Sequence, residues 1–242
     1  MTQLTVLSEA AADTTPGRLA ASRAERGRHQ RRVDHVHGEL RNRVVSLAIA
    51  PGSPIDETRT ARELGVSRAS VREAIGRLEA DGLVTTFSNR GAFASTIGIT
   101  DLSHVCDVRL ALEGEAAQRA AQRCASIDHR ALQSLRRDLT QGAHPDDPET
   151  QIKLYTGVHE FIYRCAANRF MEDTLNRYLS LSIRIWRVVG ARLSQRFIPL
   201  DDLDRLLAAI ADGAANRARA LQVGHIWVFE EIVRAGTLSP NT

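Results

Sequence analysis

In the stretch GVSRASVREAIGRLEADGLV, residues 65–84, Ser67, Arg68, Ser70 and Arg72 fall within about one and a half helical turns. Two arginines and two serines gathered at one end of an amphipathic helix add nothing to a core. They do suit a helix whose first turn enters a nucleic-acid groove. A helix start presents free backbone N–H groups and the positive end of its dipole, both matched to phosphate. Arg68 and Arg72 stand one turn apart, so they share a face that points away from Val71 and Ile75. That face fits a major groove about 12 Å wide, where arginine bonds guanine through two parallel hydrogen bonds. Ala69 is small enough to approach a thymine methyl. A solvated helix face with its arginines paired to Glu73 or Glu79 would use the same residues, so the surrounding elements must decide.

Those elements agree with the groove reading. Val36, Leu40, Val44 and Leu47 have the spacing of a helix face, and APGSP (50–54) breaks that helix. A short helix is expected at about 57–64, closed by Gly65 in the usual C-terminal glycine position. Ser67 starts the next helix as its N-cap, with Val71, Ala74, Ile75 and Leu78 as the apolar face. LVTTF and AFASTI flank SNRG (88–91), giving two short strands around a tight turn. Three helices followed by a β-hairpin make a winged helix-turn-helix. Beyond Thr100 the pattern is helical throughout, with segments expected at 101–124, 127–141, 150–167, 169–194, 199–212 and 214–235. The fold class is therefore mainly α: a winged helix-turn-helix at 33–98, then an all-α antiparallel bundle at 99–242.

Residues 1–32 read as an arginine-rich disordered tail, with five arginines between 23 and 32. Such a tail is either solvated or an arm that reaches phosphates. The net charge of +3 lies wholly in the N-terminal part, where residues 1–100 carry 14 arginines against 11 acids. The remaining 18 basic and 18 acidic residues balance. No apolar run is long enough to span a membrane, and the first thirty residues lack a signal-peptide core. Cys106, Cys124 and Cys165 form no close pair and read as reduced thiols of a cytoplasmic protein. Trp186 and Trp227 sit at core periodicity. No nucleophile–base pair, glycine-rich phosphate loop or complete metal triad points to an enzyme.

The run LRNRVVSLAIAPGSPIDETRTARELGVSRASVREAIGRLEADGLV resembles the DNA-binding domain of the GntR family of bacterial transcription regulators. The resemblance covers residues 36–97. It implies that Ser67, Arg68, Ala69, Ser70 and Arg72 face DNA, supported by Arg41, Thr58 and the wing residues Arg90 and Gly91. Ala69 and Ser70 stand where threonine and proline are common in the family, which implies a changed base preference at one position.

DVRLALEGEAA (107–117), HEFIYRCAANRFM (159–171) and DDLDRLLAAIADGAANRARALQVGH (201–225) resemble the FadR-type branch, with its C-terminal FCD effector domain. In that branch a bundle pocket commonly holds a metal through one aspartate and three histidines, beside a small carboxylate effector. Here His159 and His225 occupy two ligand positions, whereas Tyr155 and Leu203 occupy the other two. Two imidazoles seldom hold a metal that needs three or four protein ligands, so no metal or other cofactor is expected. His159 and His225 then either line a metal-free effector pocket or are satisfied polar groups of the bundle. The resemblance implies that Arg109 faces the pocket, where its guanidinium suits a carboxylate. An intrahelical pair with Glu113, one turn on, is the alternative. Tyr155 either fills the vacated metal space or offers its hydroxyl to the effector. Asn168 either caps a helix or touches the ligand. The expected protein is a homodimeric regulator, a repressor, that binds a double-stranded operator and releases it on binding an organic acid. A bundle that only dimerises, with constitutive DNA binding, is the other reading.

Overall fold

The computed structural model describes residues 16–141, 147–190 and 200–238. Helix α1 (Pro16–Val45) opens the chain and is followed by β1 (Pro54–Ile55), α2 (Glu57–Leu64), α3 (Arg68–Ala80), β2 (Val84–Phe87) and β3 (Gly91–Ala94). The helical domain then runs through α4 (Ile99–Gln122), a 3-10 turn (Cys124–Ser126), α5 (His129–Gln141), α6 (Pro148–Cys165), α7 (Arg169–Gly190), α8 (Asp201–Ala211) and α9 (Ala215–Leu238).

The winged helix closes over Val36, Leu40 and Val44 of α1, Val71, Ala74, Ile75 and Leu78 of α3, and Leu83 and Val84, all buried. Local chemistry fixes its corners. Asp56 caps α2 by accepting the Arg59 N–H at 2.9 Å. Gly65 ends α2 in the left-handed region at φ 63°, a conformation glycine adopts without strain. Ser67 caps α3 by accepting the Ser70 N–H at 3.1 Å. The wing hairpin pairs Val84 with Ala94 and Phe87 with Gly91. The two-residue strand β1 adds to it, giving the order β1-β3-β2, an edge that sequence periodicity does not announce.

Two expectations change at the N-terminus. Residues 16–32, read as part of a disordered tail, belong to α1, while residues 1–15 lie outside the described residues. Their Ala, Arg, Glu and Gln are good helix formers, and tertiary contacts hold the helix. His29 meets Glu73 of α3 at 2.8 Å, and Arg77 of α3 donates to Asp34 at 2.8 Å. At the other end α1 stops at Val45, so Leu47 leaves the helical face and sits at φ 63°.

In the helical domain α4 is the axial helix, packed against α6, α7, α8 and α9. Gly114 lets α9 approach closely. A Cβ there would lie 2.9 Å from Val223 Cγ2 and 3.3 Å from Arg219 Cγ. Valine is stiff about its one side-chain torsion, so the helices themselves must separate. Gly114→Ala is expected to lower stability by about 1–3 kcal/mol despite alanine's better helix propensity. A urea midpoint equal to that of the wild type would show that the approach is looser than described.

Helix α7 also ties the two domains together. Arg41 of α1 donates to Ser180 Oγ at 2.5 Å, Arg177 Nε donates to the Asp81 carbonyl at 3.1 Å, and Arg184 donates to the Ser95 carbonyl. Trp186 is buried as its periodicity suggests, whereas Trp227 on α9 is half exposed and does not join the core.

Candidate DNA-binding face and buried polar cluster

The first turn of α3 stands clear of the rest of the fold. Arg68 and Arg72 have 57% and 62% of their side-chain surface exposed, so neither is committed to packing. Both lean on Glu57 of α2: Arg72 Nε donates to Oε2 at 2.8 Å, and Arg68 Nη2 lies 3.7 Å from the same oxygen. The acceptors expected for a purely solvated face are engaged elsewhere. Glu73 holds His29 and Arg77, and Glu79 accepts the Thr86 N–H. Thr58, Ser67 and Ala69 are exposed beside the two arginines. On the wing, Arg90 stacks over Phe87 and Phe93, its guanidinium carbon 5.8 and 5.5 Å from the ring centres. Gly91 is exposed at φ 83°, where the hairpin turns.

Two residues expected on this face are elsewhere. Ser70 is buried, with its hydroxyl 2.9 Å from that of Ser67, so it braces the cap rather than facing a groove. Arg41 points to the helical domain, as its bond to Ser180 shows. Helix phase explains Ser70, which lies beside Val71 and Ala74 on the inner side. For Arg41 the cause is domain orientation, which no local pattern carries.

Arg68→Ala and Arg72→Ala are expected to move stability by no more than about 0.5 kcal/mol each, being exposed. Each should weaken operator discrimination by about 1–3 kcal/mol through a lost two-bond contact to a base. Fluorescence anisotropy on both variants, with matched urea melts, measures this. Wild-type operator affinity in both would remove α3 as the reading helix.

The second cluster lies inside the helical domain, where α4, α6, α7 and α9 meet. Arg109 and Glu113 of α4 are both fully buried and pair one turn apart, Nε to Oε1 at 2.5 Å. Arg109 also donates to Tyr155 Oη at 2.9 Å and to Ser182 Oγ at 3.2 Å. Glu113 further accepts from Tyr163 Oη at 2.7 Å and Gln222 Nε2 at 2.5 Å. His159 Nδ1 lies 2.8 Å from the Tyr155 carbonyl, which can only accept, so the ring proton sits on Nδ1 and Nε2 carries the lone pair. The Tyr155 ring packs on His159 and His225, with centroids 4.2 and 5.5 Å away.

Burial sets the protonation states. It drives both imidazoles down to about 3, helped by the Arg109 charge, and lifts the Tyr155 phenol to about 12. For Arg109 burial also acts against the charge, but the Glu113 carboxylate outweighs it and holds the guanidinium well above its usual range. At neutral pH the cluster is therefore one closed ion pair among neutral rings. Among the described residues neither nitrogen of His225 has a hydrogen-bond partner, and neither does Gln222 Oε1.

The cluster brings Arg109, Tyr155, His159 and His225 together, with Glu113, Tyr163, Ser182 and Gln222 completing it. Gln222 was within reach of sequence reading, since it stands one turn before His225 on the same helix face. Asn168 is not part of it: its Oδ1 accepts the N–H groups of Phe170 and Met171 and caps α7. Arg109 is not a free cation awaiting an anion, because Glu113 already compensates it. The donor set does not fit the divalent metal of the branch. Leu203 is buried hydrocarbon, Tyr155 is a neutral phenol, and Glu113 is committed to Arg109, Tyr163 and Gln222. Among the described residues no three His, Cys, Asp or Glu are grouped to hold a metal ion.

Comparison with known proteins agrees with this architecture. Residues 32–94 match the model described as bacterial regulatory proteins, gntR family, and residues 104–227 match the FCD domain. An HTH-type transcriptional regulator in an unstable DNA locus of Streptomyces ambofaciens is 30% identical over 217 residues, 89% of this chain and 90% of that protein. The Nta operon transcriptional regulator of Aminobacter aminovorans is 28% identical over 182 residues, 75% of this chain and 85% of its own length. Among solved structures, McbR/YncC of E. coli superposes with a TM-score of 0.71 at 19% identity, over 84% of this chain and 97% of that one. A putative GntR transcriptional regulator from Rhodococcus sp. RHA1 gives 0.66 at 22% identity, over 84% and 98%. At such identities the structures speak for the fold alone. These relatives are transcription regulators and not enzymes. With a winged helix that presents two arginines and a helical domain built around a buried polar cluster, the chain belongs to the GntR family of bacterial transcription regulators, in the group that carries an FCD domain.

Proposed function

We propose that this protein is a homodimeric, metal-free repressor whose operator affinity is set by a small polar effector bound at the Arg109–Tyr155–His225 cluster. The observation that carries this is the placement of α7. Ser182 of α7 touches Arg109, while Arg177, Ser180 and Arg184 of the same helix hold Asp81, Arg41 and Ser95 of the winged-helix domain. A ligand that rearranges the cluster moves the helix that sets the winged helix. In a dimer, two recognition helices must sit about 34 Å apart, or a multiple of that, to meet successive half-sites. A small rotation of each spoils the match, and the effector acts by differential affinity for the two arrangements. No described helix is long and apolar enough to cross a membrane, which fits the cytoplasmic site of action this function needs.

A carboxylate effector must displace Glu113 from Arg109. Otherwise it would add a second negative charge to a buried site that is already neutral, which is costly. The orphaned His225 nitrogens and Gln222 Oε1 are the groups that such a ligand would satisfy. The closed Arg109–Glu113 pair is also the observation that favours the ligand-independent reading, in which the helical domain only dimerises.

Thermal shift with a panel of small carboxylates and their amides separates the two, with operator release followed on the same panel by anisotropy. Saturable stabilisation that is lost in His225→Leu and accompanied by operator release supports the effector reading. A flat response across the panel supports constitutive binding. Light scattering should report a dimer for the full chain and for the fragment 99–242. A monomeric fragment would move the dimer contact to the winged helix.

A further inference from the structure

A cleft of about 660 Å³ lies between the domains, bordered by α1 and the end of α3 on one side and by α6 and α7 on the other. It is separate from the buried cluster, sharing none of its residues. Seven charged or titratable side chains line it, and sorting them by partner leaves a pattern. His37 and Asp81 pair with each other at 3.2 Å. Arg77 is held by Asp34 and Glu73. Among the described residues Arg41 bonds only the Ser180 hydroxyl, and Arg177 bonds only a backbone carbonyl while leaning on Tyr178. Glu160 and Asp173 also line the cleft, and among the described residues neither has an ion-pair partner within 4.0 Å. Among the described residues, two cations with no carboxylate partner and two anions with no hydrogen bond or ion pair thus share one space.

Their order along α7 is not mixed. Asp173 comes first, Asn176 and Arg177 one turn later, and Ser180, where Arg41 arrives, a further turn on. At 1.5 Å per residue, the acidic end and the two guanidinium anchor points are separated by roughly 6–10 Å along the helix axis. Asn176 stands between them, its Oδ1 buried and without a partner. Asn176 borders the cleft, and turning its side chain would bring the unsatisfied acceptor to a donor there.

We propose that this cleft is a second ligand site, for a small zwitterion such as a free amino acid or dipeptide. The carboxylate meets Arg41 and Arg177, the ammonium meets Glu160 and Asp173, and the Asn176 side chain turns into the cleft so that its Oδ1 accepts an N–H. The spacing suits it, because a salt-bridged carboxylate and ammonium joined by a short carbon chain span a comparable length. A simple anion satisfies only the basic end and meets the two carboxylates unfavourably; a simple cation has the reverse difficulty. Because Arg41 belongs to α1 and Asp81 ends α3, occupancy fixes how the winged helix sits on α7. The site therefore reports to DNA binding independently of the buried cluster.

The test is calorimetry on the full chain at constant ionic strength, with glycine, alanine, glutamate and glycylglycine as probes and acetate and methylammonium as single-charge controls. At least one zwitterion is expected to bind saturably and the two controls not to bind. Glu160→Gln and Arg177→Gln should each weaken that binding by roughly tenfold or more, the worth of one charge-assisted hydrogen bond. Glu160 makes no hydrogen bond or ion pair among the described residues, so its variant is expected to melt with the wild type in the absence of ligand. His225→Leu should leave zwitterion binding unchanged, which separates this site from the buried cluster whatever the fate of that reading. No saturable binding by any of the four probes would overturn the proposal. So would acetate binding as well as its zwitterionic counterpart, or full affinity in both charge variants.

Discussion

Glu113→Gln is expected to destabilise the protein by about 3–5 kcal/mol, the usual consequence of breaking a buried pair from one side. Glu113 and Arg109 are both 0% exposed, and the carboxylate accepts from Arg109, Tyr163 and Gln222 together. Glutamine preserves the volume but offers one acceptor oxygen in place of two, and no charge. Arg109 does not respond by losing its proton, since a guanidinium stays protonated in proteins even without a carboxylate beside it. It would remain a buried cation holding only Tyr155 and Ser182. Removing both charges, as in Arg109→Met with Glu113→Gln, should recover part of the loss, so the double-mutant cycle gives a coupling of opposite sign to the single losses. Glu113→Ala offers a sharper readout. It opens space beside an unpaired guanidinium, and formate or acetate should raise its melting temperature saturably while leaving that of the wild type unchanged. If Glu113→Gln costs under about 1 kcal/mol, or the small acids do nothing for Glu113→Ala, the pair is not closed and buried as described.

The same pair marks where the sequence stops being informative. The recognition helix was readable because its determinants are local: Gly65 to end α2, Ser67 to cap α3, and the apolar set at Val71, Ala74, Ile75 and Leu78. The spacing of Arg109 and Glu113 was equally visible, but a pair one turn apart on a helix surface and the same pair at 0% exposure are different physical objects. What buries it comes from Tyr155 and Tyr163 of α6, Ser182 of α7 and Gln222 of α9, tens of residues away. Arg41 shows the same limit from the other domain. The family resemblance implied a place near DNA, and only the docking of α1 on α7 turned it to Ser180. Strand β1 escaped because two residues are too few to show a period. The first half of α1 escaped because it has no apolar face before Val33, and its anchors, His29 to Glu73 and Arg77 to Asp34, are ionic and non-local.

Acidification should weaken the fold well before the carboxylates titrate, because two buried imidazoles are kept neutral. His159 and His225 sit near a pKa of about 3, driven down by burial, with His159 and Arg109 adding repulsion at His225 and Arg109 adding it at His159. Glu113 and Asp202 act in the opposite sense on His225 but do not prevail. In the unfolded chain both imidazoles titrate near 6.5. Between those values the unfolded state binds more protons than the folded one, so stability is complete above pH 6.5 and falls as the pH drops toward 3. The slope is about 1.4 kcal/mol per pH unit for each histidine. From pH 7 to 5 the two together should lose roughly 4 kcal/mol, an amount comparable to much of a domain's net stability. Urea denaturation at pH 7, 6 and 5 measures the loss, and that window lies above most of the carboxylate titration. His225→Leu isolates one contribution. Neither ring nitrogen of His225 has a hydrogen-bond partner among the described residues, so leucine removes no hydrogen bond seen there and should roughly halve the pH slope between 5 and 7 while leaving the fold intact. A wild type equally stable at pH 7 and 5, or a variant with an unchanged slope, would mean that water or a counter-charge reaches these rings. The cluster would then no longer be the dry, neutral site from which the effector's chemistry has been argued.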